Sequence, residues 1–94
     1  MIALAEKGAL AVSAGEAWRA TPPRVEVVSA TGAGDSFVAA LVLGLSRGDG
    51  LGEALALAVA AAADAVTTPA SALVTAEGVA AKRRETALAP LAER

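Results

Sequence analysis

The chain has 94 residues, a formal net charge of −2, and neither cysteine nor histidine. This composition excludes disulfides, thiolate chemistry and metal sites built from cysteine or histidine, and it offers no basic surface for a nucleic acid. Hydrophobic residues make up 55% of the chain, but aromatic residues only 2%, and 27 residues are alanine. Because small side chains remove little surface from water, we expect a marginal core and a chain that belongs to a larger unit.

The longest apolar runs, at residues 37–45 and 54–63, are too short for a membrane span, which needs about 18 residues. The N-terminal residues also lack the long apolar region of a signal peptide. We therefore predict a cytoplasmic protein that binds neither a membrane nor a nucleic acid.

The first third of the chain is predicted to be rich in β-structure. Residues 8–13 form an apolar run between two glycines, which predicts a buried strand that turns at residues 14–16. Residues 17–20 would return as the second arm of a hairpin, and the prolines at positions 22 and 23 end it. Residues 24–28 alternate again and predict another short strand.

Beyond residue 28 the apolar period changes to that of a helix. A first helix is predicted from about residue 35 to residue 47, with Gly48 in the left-handed conformation after its end. Its apolar face would hold Phe37, Ala40, Leu41, Gly44 and Leu45. A second helix would be capped by Gly50 and ended by Thr67-Thr68-Pro69, with an apolar face of Leu55, Ala58, Val59, Ala62 and Val66.

A third helix is predicted to begin after Thr75 as N-cap, with Glu77 in its first turn, and to fade towards Pro90. Residues 91–94 would form a frayed tail. The cluster Lys82-Arg83-Arg84 is interpreted as a solvated face rather than an anion or partner contact. Its charge would be balanced by Glu77, Glu85 and Glu93.

Residues 28–37 run from a β-like segment through two glycines into the predicted start of the first helix. Such a turn leaves the first N–H groups of the helix without partners, and Gly32 and Gly34 permit close approach to the backbone. The arrangement is suited to a phosphate oxygen. Asp35 would lie beside that anion, where a carboxylate can accept the proton of a hydroxyl that attacks the phosphate.

Other interpretations of this segment can be checked against the same residues. A P-loop requires a lysine after its second glycine, and a dinucleotide fingerprint requires a third glycine where Phe37 stands. A purely structural strand-to-helix turn, in which Asp35 stabilises the helix N-terminus by about 0.3–1 kcal/mol, agrees with the spacing as well as an anion site does. The spacing alone leaves these last two interpretations open.

Residues 29–41, Ser-Ala-Thr-Gly-Ala-Gly-Asp-Ser-Phe-Val-Ala-Ala-Leu, resemble the C-terminal signature of the PfkB/ribokinase family of sugar kinases. Residues 6–12 resemble a glycine-containing strand of that family, residues 15–20 its following hairpin, and residues 54–63 the small-residue helix beside the adenine pocket. Residues 25–29 and 67–69 look most like the phosphofructokinase-type branch, which includes 1-phosphofructokinase and tagatose-6-phosphate kinase.

The resemblance implies roles for residues of the glycine-rich segment. Asp35 matches the catalytic base of the family. An anion hole that binds the phosphates of ATP would comprise Thr31, Gly32, Ala33 and Gly34. The implied cofactors are ATP and Mg²⁺ and the implied partner is a sugar or sugar phosphate, while no residue of this chain is matched to a metal ligand.

The resemblance also implies an α/β architecture, the C-terminal part of a Rossmann-like ribokinase fold in which strands are followed by two or three helices. Val59 and its neighbours would wall the adenine. Residues 1–94 would then be the C-terminal third of a carbohydrate kinase domain, without the N-terminal sugar-binding part and the lid. The expected function is ATP-dependent phosphorylation of a sugar or sugar-phosphate hydroxyl.

Alone, the chain is expected to be inactive and to associate with a second copy or with a missing N-terminal part. The alternative function is that of a non-catalytic nucleotide-binding or remnant fragment of such a kinase.

Overall fold

A computed structural model of the chain describes residues 2–5, 8–13, 15–23, 32–67 and 75–91. Three strands precede three helices, and a fourth strand follows them. In chain order the elements are β1 (Ile2–Ala5), β2 (Gly8–Ser13), β3 (Glu16–Thr21), α1 (Ala33–Ser46), α2 (Leu51–Val66), α3 (Ala76–Glu85) and β4 (Ala87–Pro90). The strand predicted at residues 24–28 lies outside the described residues.

The strands form one antiparallel sheet in the order β1-β2-β3-β4. The predicted hairpin is confirmed, because Ser13 pairs with Glu16 across a two-residue turn and β3 ends at Thr21, before the two prolines. On its other side β2 pairs with β1, a strand that the sequence pattern did not predict. Among the described strands every pairing is antiparallel.

The prediction that the third helix fades towards Pro90 is wrong. Helix α3 ends at Glu85, and the N–H and hydroxyl groups of buried Thr86 donate to the carbonyls of Arg83 and Lys82. Residues 87–90 then pair with β3, whose open edge supplies the hydrogen bonds of a ladder. The N–H of Leu91 donates to the carbonyl of Ala17 at 2.9 Å, so the expected frayed tail does not begin at residue 91.

Helix α2 is the centre of the structure. It packs against α1 on one side, α3 on another, and the sheet on a third. It is consequently buried almost all round, whereas the sequence predicted a single apolar face. Its alanines explain how this is achieved, since a helix lined with small side chains lets three neighbours approach it at once. Its predicted limits, Gly50 as N-cap and an end at Thr67, are confirmed.

Helix α1 begins two residues before the predicted start and turns only part of its apolar surface inward. Phe37 and Gly44 are buried, and Gly48 has the predicted left-handed conformation with φ 94°. Leu45 was predicted on the buried face, but 46% of it is exposed. With Val38 and Val42 it belongs to the exposed apolar residues of α1, hereafter the outer face.

Ion pairs fasten α3 to α2. Arg83 donates through Nε and Nη2 to the two carboxylate oxygens of Glu53, each at 2.7 Å, and Lys82 Nζ lies 3.5 Å from Oδ1 of the largely buried Asp64. The predicted balance of this cluster by Glu77, Glu85 and Glu93 is therefore wrong for these two residues, whose acidic partners lie on α2. The predicted N-cap is confirmed, since the Thr75 hydroxyl accepts the N–H of Gly78 at 2.9 Å.

Among the described helices, none has both the length and the apolar character that crossing a membrane requires.

Candidate active site

The first turn of α1 is built on a left-handed glycine. Gly32 has φ 84° and ψ −4°, a conformation in which any residue with a Cβ is strained. Its carbonyl accepts the N–H of Ser36 at 2.9 Å, the first hydrogen bond of the helix. Gly32 is therefore the N-cap of α1, and its cap involves no side chain. The N–H groups of Ala33, Gly34 and Asp35 precede the first intrahelical donor and lie at the positive end of the helix dipole.

This turn is open to a ligand. Gly32, Gly34 and Asp35 are exposed, and among the described residues a Cβ added to Gly34 would meet no atom within 4 Å beyond its chain neighbours and the backbone of its own helix. An anion can therefore approach the backbone closely from solvent. Thr31, the remaining residue of the predicted anion hole, lies outside the described residues.

Asp35 is held at this turn by the packing of the helix behind it. Phe37, two residues further on, is 4% exposed and lies in the core with Leu55 and Val59 of α2. Because a buried aromatic ring fixes the rotation of a helix about its axis, the exposed Asp35 carboxylate is presented on a rigid element rather than a loop. The fold thus places Gly32, Ala33, Gly34 and Asp35 together, as the sequence predicted.

A groove of about 430 Å³ runs between the three helices, beginning at Ser36, the neighbour of Asp35. Its size lies within the range of about 300–1,000 Å³ that is usual for small-molecule sites. Its described lining comprises Ser36, Ala39, Ala40 and Leu43 of α1 with its C-cap Arg47, Leu57 and Ala61 of α2, and Ala76, Val79 and Ala80 of α3. Of these residues, Ser36 directly follows Asp35 in α1.

Val59, which the resemblance placed beside the adenine, is 3% exposed and packs in the hydrophobic core. The residues of α2 that line the groove are Leu57 and Ala61. The contribution of α3 was missed, because its sequence carries only one bulky apolar residue, Val79, and no periodic signal that points to a binding surface.

The carboxylates of the described residues do not form a metal cage. No group of three or more Asp, Glu, His or Cys side chains in this part of the chain is placed to share an ion. At the other end of the groove, Asp49 is engaged by Arg47, whose Nε lies 3.0 Å from Asp49 Oδ2. Asp35 is the acidic residue in the first turn of α1, and the site there consists of one carboxylate and backbone N–H groups.

Comparison with known proteins identifies the family of the chain. The family model for pfkB family carbohydrate kinases matches residues 1–77. The chain is 48% identical over 67 residues to the 1-phosphofructokinase of Escherichia coli strain K12, an alignment that covers 71% of this chain and 22% of that protein.

Solved structures show the same fold. A Staphylococcus aureus protein assigned as a phosphofructokinase superposes with a TM-score of 0.86 at 26% identity, covering 95% of this chain and 28% of that one. Phosphofructokinase-2 of Escherichia coli, in complex with substrates and products, gives a TM-score of 0.77 at 31% identity, covering 83% of this chain and 25% of that one. These matches confirm the predicted α/β fold of the ribokinase type. The chain spans about a quarter of the length of the proteins it matches.

Proposed function

Because the chain belongs to the pfkB family of carbohydrate kinases, we propose that it supplies the phosphoryl-transfer end of an enzyme that phosphorylates a sugar or sugar-phosphate hydroxyl with ATP. One observation carries the proposal: the Asp35 carboxylate lies beside the exposed first-turn N–H groups of α1, and the next residue, Ser36, lines a groove between the three helices. A kinase needs a base, a site for the phosphates and a site for the nucleobase. The carboxylate, the N–H groups and the groove would supply them in that order.

The anion hole is assigned to the turn that Gly32 initiates. The N–H groups of Ala33, Gly34 and Asp35 would donate to oxygens of the transferring phosphoryl group, with Thr31 bordering the same phosphates. Donors held by a helix need no reorganisation as charge develops on those oxygens, and such a donor typically contributes about 2.7–4 kcal/mol to the transition state.

Asp35 is assigned as the general base. Its carboxylate would accept the proton of the acceptor hydroxyl while the hydroxyl oxygen forms a bond to the γ-phosphorus of ATP. The bond from that phosphorus to the β–γ bridging oxygen breaks, and ADP leaves with the electron pair. Exposure of Asp35 is consistent with this role, because the sugar must approach it from outside the helix.

Magnesium is assigned to the nucleotide rather than to this chain. The described residues do not build a cation site of their own, and Mg²⁺ in kinases is held largely by substrate phosphates. It would enter as the MgATP complex.

The phosphofructokinase-like assignment rests on the 48% identity to a protein named 1-phosphofructokinase. The sugar pocket is not part of the assigned site, so the remainder of a kinase domain is needed to hold the acceptor. That residues 1–94 form the C-terminal third of such a domain remains our prediction. The exposed outer face of α1 supports association with that remainder or with a second copy.

The test is a chimera. The 67-residue stretch of Escherichia coli 1-phosphofructokinase that aligns with this chain would be replaced by the corresponding residues, which necessarily include α1. We expect ATP-dependent phosphorylation of fructose 1-phosphate by the chimera, and nucleotide binding without turnover by residues 1–94 alone. A folded chimera that binds ATP but transfers no phosphate would favour the alternative, a non-catalytic nucleotide-binding fragment.

A further inference from the structure

Helix α3 packs on α2 and on no other element of the described structure. None of its ten residues is buried. Three of its few apolar residues, Ala76, Val79 and Ala80, line the groove, so part of its small apolar surface faces the groove rather than α2. A segment with few buried apolar contacts has a low free energy of local opening.

Charged side chains carry much of the contact between α3 and α2. Arg83 donates two hydrogen bonds of 2.7 Å to Glu53 near the start of α2, and Lys82 Nζ lies 3.5 Å from Asp64 Oδ1 near its end. Two adjacent cations of α3 thus hold α2 at points about 17 Å apart along its axis. Half of the Glu53 side chain is exposed, so water competes for its ion pair and salt screens it.

The C-terminal end of α3 is anchored separately, through the sheet. Thr86, the C-cap, has an extended backbone with φ −83° and ψ 126°, and Ala87 after it already pairs with Thr21 of β3. Strand β4 can therefore stay in the sheet while α3 leaves α2. A helix of ten residues is marginal in water without packing, so separation from α2 and unwinding of α3 are expected to occur together.

We infer that α3 is a movable wall of the groove, which separates from α2 as a unit at the Thr86 junction and is held closed by its ion pairs to Glu53 and Asp64. Opening removes one of the three sides of the groove. The α1 and α2 sides stay in place, because they share a hydrophobic core to which α3 contributes no described residue. Since charge holds the wall closed, higher ionic strength favours the open form.

Ala60 is placed to report the opening. It lies seven residues after Glu53 and four before Asp64, which puts all three on the same face of α2 at 3.6 residues per turn, and it is 0% exposed. Because the chain has no cysteine, Ala60→Cys introduces a single thiol. The matched control is Ala58→Cys, at a position that is also 0% exposed but belongs to the core cluster.

The experiment measures alkylation of each thiol in the 94-residue chain by iodoacetamide, a neutral reagent whose own reactivity is insensitive to salt. Local opening exposes the first thiol, whereas the control thiol requires unfolding of the core. We expect the thiol of Ala60→Cys to react at least about tenfold faster than that of Ala58→Cys.

A second pair of variants tests the ion pairs. In the Ala60→Cys background, Arg83→Met removes the contact to Glu53 and should speed alkylation about two- to fivefold, the effect of a partly exposed ion pair. The matched control, Arg84→Met, removes the same charge from an exposed neighbouring position for which the described residues provide no ion pair, and should leave the rate unchanged. Raising NaCl from about 0.05 M to about 0.5 M should act like Arg83→Met.

Equal alkylation rates of the two thiols would overturn the inference, because α2 would then be uncovered only when the whole fold opens. Equal effects of Arg83→Met and Arg84→Met would overturn the closing role of the ion pairs. If Ala60→Cys does not fold, amide hydrogen exchange of the unsubstituted chain decides instead. The N–H groups of α3 should then exchange together and at least about tenfold faster than those of α2, and equal rates would refute the movable wall.

Discussion

The indole ring of Trp18 in β3 lies against the backbone of Gly52 in α2, so close that a Cβ added to Gly52 would stand 2.6 Å from Trp18 Cδ2. The ring is also tied to its own strand, since Nε1 donates to Glu16 Oε1 at 2.6 Å. Here the sheet and the central helix meet at a distance that only a residue without a side chain permits. The site on α1 depends on this contact indirectly, because α2 supports α1.

Replacing Gly52 should therefore destabilise the fold. In Gly52→Ala the added methyl forces β3 and α2 apart, and overpacking of this kind typically costs about 1–3 kcal/mol. Chemical denaturation followed by the fluorescence of Trp18, the single tryptophan of the chain, measures the effect. The control is Gly34→Ala, where the methyl meets open space. An unchanged free energy of unfolding in Gly52→Ala would contradict the packing described.

Gly34 offers the opposite case, a change that should alter binding and spare the fold. The valine side chain in Gly34→Val would cover the first-turn N–H groups, and its Cβ would meet no atom of another described element, so we expect loss of anion binding from a folded protein. Amide chemical shifts of residues 32–36, recorded while sulfate or ATP is added, report this directly. Gly50→Val, at the N-cap of α2, is the control and should leave those shifts responsive.

Asp35→Asn tests the assigned base in the chimera. Removing the proton acceptor should lower kcat by about 10²–10⁴, the usual contribution of a general base, while the affinity for ATP changes little. Steady-state kinetics with fructose 1-phosphate measures both quantities. Glu53→Gln, which also changes a first-turn carboxylate but on α2, should retain turnover. Near-normal kcat in Asp35→Asn would remove Asp35 from the mechanism.

The Arg83–Glu53 pair predicts a pH dependence of stability. The hydrogen bond from Arg83, opposed by partial burial and aided by the charges of Arg83 and Arg47, lowers the pKa of Glu53 below its usual 4.5. A lowered pKa in the folded state means that the pair stabilises the fold above about pH 4.5 and loses that contribution as the pH falls through the lowered pKa.

The size of the contribution is modest because half of the Glu53 side chain is exposed. We expect Glu53→Gln to reduce the free energy of unfolding by about 0.2–1 kcal/mol at pH 7 and the difference to shrink below pH 4. Denaturation curves of both proteins from pH 3 to pH 7 provide the comparison. A difference that grows on acidification would show that the pair does not act in this way.

Local signals in the sequence predicted their structures correctly. Gly48 ends α1 and Thr75 caps α3, because a left-handed residue and a side-chain cap act within one turn of chain. The hairpin of β2 and β3 was found for the same reason, since alternation and a two-residue turn are visible in a dozen residues. The glycine-rich turn and Asp35 could likewise be placed at a helix start from the residues on either side of them.

Contacts between distant residues were not accessible in this way. Residues 87–90, Ala-Leu-Ala-Pro, carry no β-branched or aromatic side chain, and they form a strand because β3 offers an unpaired edge. Leu45 follows the same helical period as Phe37, yet no described element packs on its side of α1. The partners of Lys82 and Arg83 lie 18 and 30 residues away, beyond any local rule.

The sequence by itself determined the β2–β3 hairpin, the start of each helix to within two residues and the presence of a carboxylate beside an open helix N-terminus, since each depends on backbone conformations set by neighbouring residues. Only the tertiary structure decided that α2 is central, and that α3 and Ser36 of α1 both line the groove between the helices. Those features depend on which surfaces exclude water together, and a run of alanines is compatible with many such arrangements until three elements pack against it.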